Sequence, residues 1–170
     1  MILQTRRLLL RDFVPEENLV LARYQADPKY LEHYRSDRIG AEAIVEMARA
    51  WAREEPRASY QLAVMLGAQN ELIGTVGLRR SFARSSNAEF GCEINPDHWR
   101  RGYAREASIA LLDFGFARLD LSRVTARTAP TNLRVHGLLA SLGFEQTEDG
   151  VEDEESCWLL ARKCWRYAGS

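Results

Sequence analysis

The stretch WRRGYARE, residues 99–106, has the residue types that bind an anion. Gly102 and Ala104 are small, so a bound group can approach the backbone closely. Positive charge is concentrated in the same turn, on Arg100, Arg101 and Arg105. A strand is predicted to end at Ile94, and a helix follows the turn. Because the first N–H groups of a helix lack internal partners and carry its positive dipole end, the turn could hold a phosphate or pyrophosphate.

The same pattern also fits an ordinary glycine-containing helix start whose arginines are solvated. The turn lacks the dinucleotide-binding pattern G-x-G-x-x-G, and the chain contains no G-x-x-x-x-G-K-[ST] phosphate loop. A single G-x-A is a weak signal. The local pattern therefore leaves both interpretations open.

Composition narrows the class of protein. The 170 residues indicate one domain spanning 1–170, and 46% hydrophobic with 28% charged residues is typical of a globular chain. A net charge of −1 predicts neither a nucleic-acid partner nor an anionic membrane surface. No run is apolar enough for a membrane span, and the N-terminus does not resemble a signal peptide. Three cysteines without metal-ligand spacing predict reduced thiols, a cytoplasmic location and no metal site.

The elements that must position this turn are predicted in the order β-α-α-β-β-β-α-β-α-β-β. Strands are expected at 7–13, 60–66, 71–79, 87–94, 122–128, 144–147 and 156–161. Helices are expected from Pro15 to before Pro28, after Gly40, from the turn to about Arg118, and over 132–144 with Gly143 as the stop. This order predicts one mixed sheet with helices on both faces, an α+β class of the α/β-type three-layer kind.

Four segments, in order, resemble the GNAT superfamily of N-acetyltransferases. HWRRGYAREA is similar to the acetyl-CoA pyrophosphate motif Q/R-x-x-G-x-G/A, and most closely to its form in the Rim-type ribosomal-protein N-acetyltransferase branch. TRRLLLRDF resembles the opening strand of that branch, ELIGTVGL its central strand, and NLRVHGLLASLGF its asparagine-bearing helix. The resemblance spans roughly residues 5–165. Two positions depart from it: Trp99 replaces a Gln or Arg, and Val135 replaces the Ser of many relatives.

The resemblance implies a GNAT fold, in which a single mixed, mostly antiparallel sheet is splayed open and carries helices on both faces. It implies acetyl-CoA as cosubstrate, bound with its pantetheine arm along the strand edge that ends at Ile94. The implied cofactor-binding residues are Cys92, Ile94, Arg100, Arg101, Gly102, Tyr103, Ala104, Arg105 and Asn132. For Asn132, an N-cap on the following helix is the alternative.

The implied reaction is direct attack by a primary amine on acetyl-CoA in a ternary complex, and two glutamates are candidates for its base. A protonated amine has no lone pair, so a proton must leave first. Period-two alternation places Glu89 and Glu93 on one face of the strand 87–94. The opposite face carries Ala88, Phe90, Cys92 and Ile94. Glu93 is the first candidate because it is nearer the turn. A strand face that is solvated or paired with arginine, and deprotonation through water, are the alternatives.

The predicted acceptor is a peptide or protein N-terminus or a small amine, and a homodimer is possible. The alternative function is a non-catalytic acyl-CoA-binding module with the same fold. None of the cysteines lies in a nucleophile context, so no covalent acyl-enzyme is expected. The run 145–155 carries seven acids and no base. It predicts a preference for acceptors with a second positive charge, unless it is simply a solvated turn.

Overall fold

The computed structural model describes residues 1–33, 39–147 and 155–165. The strands are β1 Ile2–Gln4, β2 Leu8–Arg11, β3 Tyr60–Leu66, β4 Glu71–Arg79, β5 Asn87–Ile94, β6 Arg123–Thr128, β7 Glu145–Thr147 and β8 Ser156–Ala161. The α-helices are α1 Asn18–Gln25, α2 Pro28–Leu31, α3 Ala41–Trp51, α4 Tyr103–Arg118 and α5 Leu133–Ser141. Single turns of 3₁₀-helix lie at Pro15–Glu17, Pro96–His98 and Arg162–Cys164.

The described strands form one mixed sheet in the order β1-β2-β3-β4-β5-β6-β8-β7. Within it, β5 and β6 are the parallel pair, and the other neighbouring strands are antiparallel. The parallel pair is joined by α4, as a crossover connection requires. β5 and β6 pair only from Asn87 to Glu89 on β5, although β5 continues to Ile94. Beyond Glu89 the two strands separate, so the predicted mixed, mostly antiparallel, splayed sheet is confirmed.

Helices cover both faces of the sheet, as predicted. On one face, Leu111 and Leu112 of α4 pack in the same buried cluster as Leu78 and Phe90 of the sheet. α5 contributes Leu139 to that cluster. On the other face, α1 and α3 form a second cluster with β3, which includes Leu21, Val45 and Ala63. Each fully buried leucine or valine side chain in these clusters stabilises the fold by about 1.5–3 kcal/mol.

Two parts of the N-terminal region differ from the prediction. The expected helix from Pro15 to before Pro28 is a 3₁₀ turn followed by α1, and Pro28 begins the separate helix α2 instead of only ending a helix. Asp27 caps α2, with its side chain accepting a hydrogen bond from the Lys29 N–H at 2.7 Å. Proline is favoured at a first helical position because it has no N–H to satisfy. Strand β1 was not predicted, since three residues are too few for a periodicity signal.

The remaining predicted elements are present, with ends shifted by a few residues. Gly143 follows α5 with φ +87°, the left-handed conformation that a glycine stop provides. The turn singled out in the sequence therefore lies between the end of β5 and the start of α4.

Candidate active site

The turn between β5 and α4 has an irregular backbone that exposes main-chain N–H groups. Arg100 and Gly102 have φ values of +62° and +78°, and Gly102 is the N-cap residue of α4. Among the described residues, none accepts a hydrogen bond from the amides of Gly102, Tyr103 or Ala104. The predicted basic side chains Arg100, Arg101 and Arg105 are exposed beside them. The turn therefore offers free amides and positive charge to an anion.

Thr5, Arg7 and Glu106 form a hydrogen-bonded cluster beside the turn, called the clamp below, which was not predicted from the sequence. The side-chain Nε of Arg7 donates to Glu106 Oε2 at 2.6 Å, and the main-chain N–H of Arg7 donates to Glu106 Oε1 at 2.9 Å. The Thr5 hydroxyl donates to the same Oε1 at 2.6 Å. Arg7 Nη1 also donates to the Arg101 carbonyl at 2.9 Å. Thr5, Arg7 and Glu106 thus fix the start of α4 to the turn between β1 and β2.

The clamp keeps Glu106 ionised. Burial by itself raises the pKa of the Glu106 carboxyl, but the hydrogen bonds from Thr5 and Arg7 and the charge of Arg7 outweigh burial. The net effect is a lowered pKa. The first turn of α4 therefore contains a carboxylate whose charge is balanced by Arg7.

Two aromatic side chains hold the ends of the turn. The Trp99 Nε1 donates to the Ile94 carbonyl at 2.6 Å, and the Arg134 guanidinium lies 4.1 Å from the Trp99 ring centroid. Tyr103 is half-buried, with the Arg7 guanidinium 4.5 Å from its ring centroid. Trp99, which departs from the family pattern, thus ties the turn to the last residue of β5.

The open edge of β5 presents main-chain groups to the gap between β5 and β6. The Asn95 N–H donates to the Ile73 carbonyl on β4 at 2.8 Å. Because main-chain groups alternate in direction along a strand, those of Glu93 also point to β4, whereas those of Cys92 and Ile94 point to the gap. The Ile94 carbonyl is engaged by Trp99. The main-chain groups of Cys92 and Ile94 therefore face the gap, where an extended amide-bearing arm could pair with them.

The Cys92 thiol is expected to be unreactive as a nucleophile. Burial is the main cause that raises its pKa to about 12, the nearby Glu93 charge contributes in the same direction, and the hydrogen bond with Ser108 offsets only part of these effects. At neutral pH the thiol stays protonated, and a protonated thiol is a poor nucleophile. This agrees with the expectation that no acyl-enzyme forms on this residue.

Asn132 takes the capping position that the sequence left as an alternative. Its side-chain oxygen accepts a hydrogen bond from the Val135 N–H at 3.3 Å, and the residue is 4% exposed. Its amide group donates to none of the described residues, and the residue lines the cavity next to β5. Capping uses the oxygen only, so the N–H donors of the side chain can still bind a ligand.

A cavity of about 930 Å³ opens where β5 and β6 separate. Its walls include Gly91 and Glu93 from β5, Met47 from α3, and Asn132 and Val135 at the start of α5. Val135 makes this part of the wall apolar. The cavity therefore extends from the open strand edge to the face that bears both candidate glutamates.

Glu93 is buried and held by three described hydrogen bonds, although its strand face was expected to be polar. It is 4% exposed. The Tyr24 hydroxyl and the Gln25 amide donate to Oε1 at 2.8 and 3.0 Å, and the Tyr30 hydroxyl donates to Oε2 at 2.6 Å. Sequence reasoning missed these donors because they lie on α1 and α2, 63 to 69 residues away along the chain.

Both carboxylate oxygens of Glu89 are paired with arginines, which is one of the alternatives that the sequence left open. Arg79 Nη2 lies 2.9 Å from Oε1, and Arg127 Nη2 lies 3.1 Å from Oε2. The hydrogen bond and charge of Glu89 raise the pKa of Arg127, with Glu155 adding to the effect from 4.0 Å. Glu89 is also the last residue of β5 that pairs with β6. Its carboxylate thus links β4, β5 and β6 at the point where the sheet opens.

Several other expectations concern the rest of the chain. Most of the acidic run lies outside the described residues, which include only 145–147 and Glu155 of it. Within the described ranges, no three His, Cys, Asp or Glu side chains are grouped as metal ligands would be. None of the helices in these ranges combines the length and the apolar composition that a membrane span requires.

Comparison with known proteins agrees with this geometry. The acetyltransferase (GNAT) domain model matches residues 7–145. The chain is 30% identical over 148 residues to p20 of Bacillus licheniformis, described as an uncharacterized N-acetyltransferase, with 85% of this chain and 82% of p20 covered. The chain therefore belongs to the GNAT acetyltransferase family.

Solved structures show the same fold. Spermidine N-acetyltransferase of Vibrio cholerae, in complex with CoA and spermine, superposes with a TM-score of 0.77 at 20% identity, covering 94% of this chain and 98% of that one. RimJ of Mycobacterium smegmatis, in complex with CoA-disulfide, superposes with a TM-score of 0.75 at 19% identity, covering 92% and 82%.

The family membership confirms the predicted enzyme class. The protein is an N-acetyltransferase, and the donor used by its family is acetyl-CoA. The alternative of a non-catalytic acyl-CoA-binding module is not supported by these relatives.

Proposed function

We propose that the protein transfers the acetyl group of acetyl-CoA to a primary amine by direct attack in a ternary complex. The observation that carries the proposal is the separation of β5 from β6 directly beside a turn with free amides. One feature fits the extended pantetheine arm and the other fits the pyrophosphate, and they lie at the same end of β5.

The binding half of the proposal uses main-chain groups more than side chains. The amides of Gly102, Tyr103 and Ala104 would bind the pyrophosphate, with positive charge from Arg100, Arg101 and Arg105. Cys92 and Ile94 would pair with the pantetheine amides in the manner of an added strand. The Asn132 amide would donate from the opposite side of the gap. When bound, acetyl-CoA supplies a thioester whose carbonyl carbon the amine attacks and whose thiol leaves.

In the proposed chemical step, Glu93 receives the proton of the acceptor amine, directly or through a water molecule. Glu93 lines the cavity, and the hydrogen bonds of its carboxylate with Tyr24, Gln25 and Tyr30 fix the orientation of that group. Glu89 is the second candidate. Because each of its oxygens is bound by an arginine, a proton arriving there would weaken an ion pair. The geometry thus favours Glu93, the residue that the sequence put first.

The acceptor is a small amine or a peptide N-terminus. The two solved relatives bear on both possibilities, since one is a spermidine N-acetyltransferase and the other is a RimJ protein. The cavity volume of about 930 Å³ is large enough for either kind of amine beside the thioester.

Thiol release tests the proposal. Purified protein is mixed with acetyl-CoA and a panel of polyamines, amino-acid amides and short peptides with free N-termini. We expect at least one amine to accelerate thiol release over the rate with acetyl-CoA alone, and mass spectrometry should detect the acetylated amine. Tight acetyl-CoA binding with no turnover across the panel would contradict the proposed reaction.

A further inference from the structure

We infer that Arg7 is a positioning residue for the turn before α4, which it holds with the Gly102 N–H directed toward the anion site. The inference rests on the proposed function, because it concerns the same acetyl-CoA pyrophosphate. Nothing in the sequence pattern gave Arg7 this role, since the segment TRRLLLRDF was interpreted only as an opening strand.

The first observation is the hydrogen bond from Arg7 Nη1 to the Arg101 carbonyl, at 2.9 Å. In a trans peptide the carbonyl and the following N–H point in opposite directions. With the Arg101 carbonyl directed at Arg7, the N–H of Gly102 is directed away from it. Arg7 therefore fixes the peptide plane that presents the first amide of the turn.

The second observation concerns the charge at the start of α4. Glu106 lies in the first helical turn, where its carboxylate favours the helix but repels a bound phosphate. The Arg7 Nε lies 2.6 Å from Glu106 Oε2, and Thr5 and the Arg7 N–H occupy the other oxygen. The charge of Glu106 is thus balanced by Arg7.

The third observation is the contrast with the preceding residue. Arg6 is exposed and makes no hydrogen bond, ion pair or ring contact with the described part of the chain. Arg7 makes its contacts with Glu106, Arg101 and Tyr103 from the next position. Two arginines of equal charge are therefore adjacent in sequence, and of the two only Arg7 contacts the turn and the start of α4.

This contrast supplies a matched pair of variants. CoA affinity is measured by calorimetry for the unchanged protein, for Arg7→Met and for Arg6→Met. We expect Arg7→Met to weaken CoA binding roughly 10- to 100-fold, the effect of losing one hydrogen bond to a charged group. Arg6→Met should change it less than about threefold, since a lone exposed charge is screened. Equal effects of the two substitutions, or no effect of Arg7→Met, would overturn the inference.

A double variant separates peptide orientation from repulsion by an unbalanced Glu106. Arg7→Met/Glu106→Gln removes the carboxylate together with its cation, which also protects the fold if the single variant is unstable. CoA binding should remain weakened, because the Arg101 carbonyl still lacks its donor. Recovery of the original affinity would show that charge balance alone matters and would overturn the role in orienting the peptide.

Pantetheine, which lacks the pyrophosphate, provides the remaining comparison. Its affinity should be the same for the unchanged protein and for Arg7→Met, and an equal loss of both ligands would indicate general disruption. Failure of the unchanged protein to bind CoA would refute the proposed function itself. CoA binding that Arg7→Met leaves intact would refute only the role of Arg7.

Discussion

Replacing Glu93 with glutamine is the most informative single change in the site, because it keeps the shape of the side chain and removes its charge. The Oε1 atom accepts from Tyr24 and Gln25, so the glutamine oxygen can take that position and keep both hydrogen bonds. The glutamine NH₂ group then faces the Tyr30 hydroxyl, which donates to Oε2 at 2.6 Å in the unchanged protein. At least one hydrogen bond to a charged group is lost, so we expect the free energy of unfolding to fall by about 1.5–3 kcal/mol.

The kinetic effect should be separate from the effect on stability. Loss of the base is expected to lower kcat roughly 10²-fold, equivalent to about 2.7 kcal/mol in the activation free energy. The KM for acetyl-CoA should change little, because the main-chain groups of Glu93 point to β4 and not to the gap proposed to hold the cofactor arm. Thiol release between pH 6 and pH 9 measures both parameters, and urea denaturation measures the stability.

Two control variants make the result interpretable. Glu89→Gln is the same change on the same strand face, and we expect it to keep kcat within a few-fold of the original. Tyr30→Phe removes one donor but leaves the Glu93 carboxylate, so it should lose stability while keeping most of kcat. If Glu93→Gln is folded and has unchanged kcat across this pH range, the assignment of proton removal to Glu93 is refuted.

Two further predictions concern the turn and the thiol. Gly102→Asn and Gly143→Asn both place a residue that tolerates positive φ in a left-handed position, at a stability cost of about 1 kcal/mol. By calorimetry, only the first should weaken CoA binding, by roughly tenfold or more, and equal affinities would remove Gly102 from the site. Since burial raises the pKa of Cys92 to about 12, roughly one thiol in 10⁴ is ionised at pH 8. Iodoacetamide should therefore modify exposed Cys164 well before Cys92 up to pH 10, as peptide mass spectrometry can show, and fast modification of folded Cys92 would contradict its raised pKa.

The features that could be predicted from the sequence are those encoded by neighbouring residues. The turn before α4 is a strand end, a glycine and a helix start within a dozen positions, and its backbone geometry follows from that order. The face alternation of β5 follows from period-two spacing, and the cap formed by Asn132 follows from its place before α5. Local rules of this kind act over one or two turns of backbone.

The features that could not be predicted depend on distant partners. Alternation gave the correct face for Glu93 but not its burial, because its donors come from α1 and α2. The clamp at Glu106 joins it to Arg7, 99 residues earlier, and neither residue signals the other in the sequence. Hydrogen bonds of this kind are set by packing of the whole sheet, so they became visible only with the three-dimensional structure.

The central claim is that acetyl-CoA binds along the open edge of β5 with its pyrophosphate on the turn before α4. Amide chemical shifts recorded during a CoA titration test it most directly. We predict the largest shifts at the main-chain amides of Gly102, Tyr103, Ala104, Cys92 and Ile94. The turn 67–70 between β3 and β4 should be unaffected, and pantetheine should shift Cys92 and Ile94 but not the turn before α4. Saturable CoA binding that leaves these five amides unshifted would contradict the proposed site.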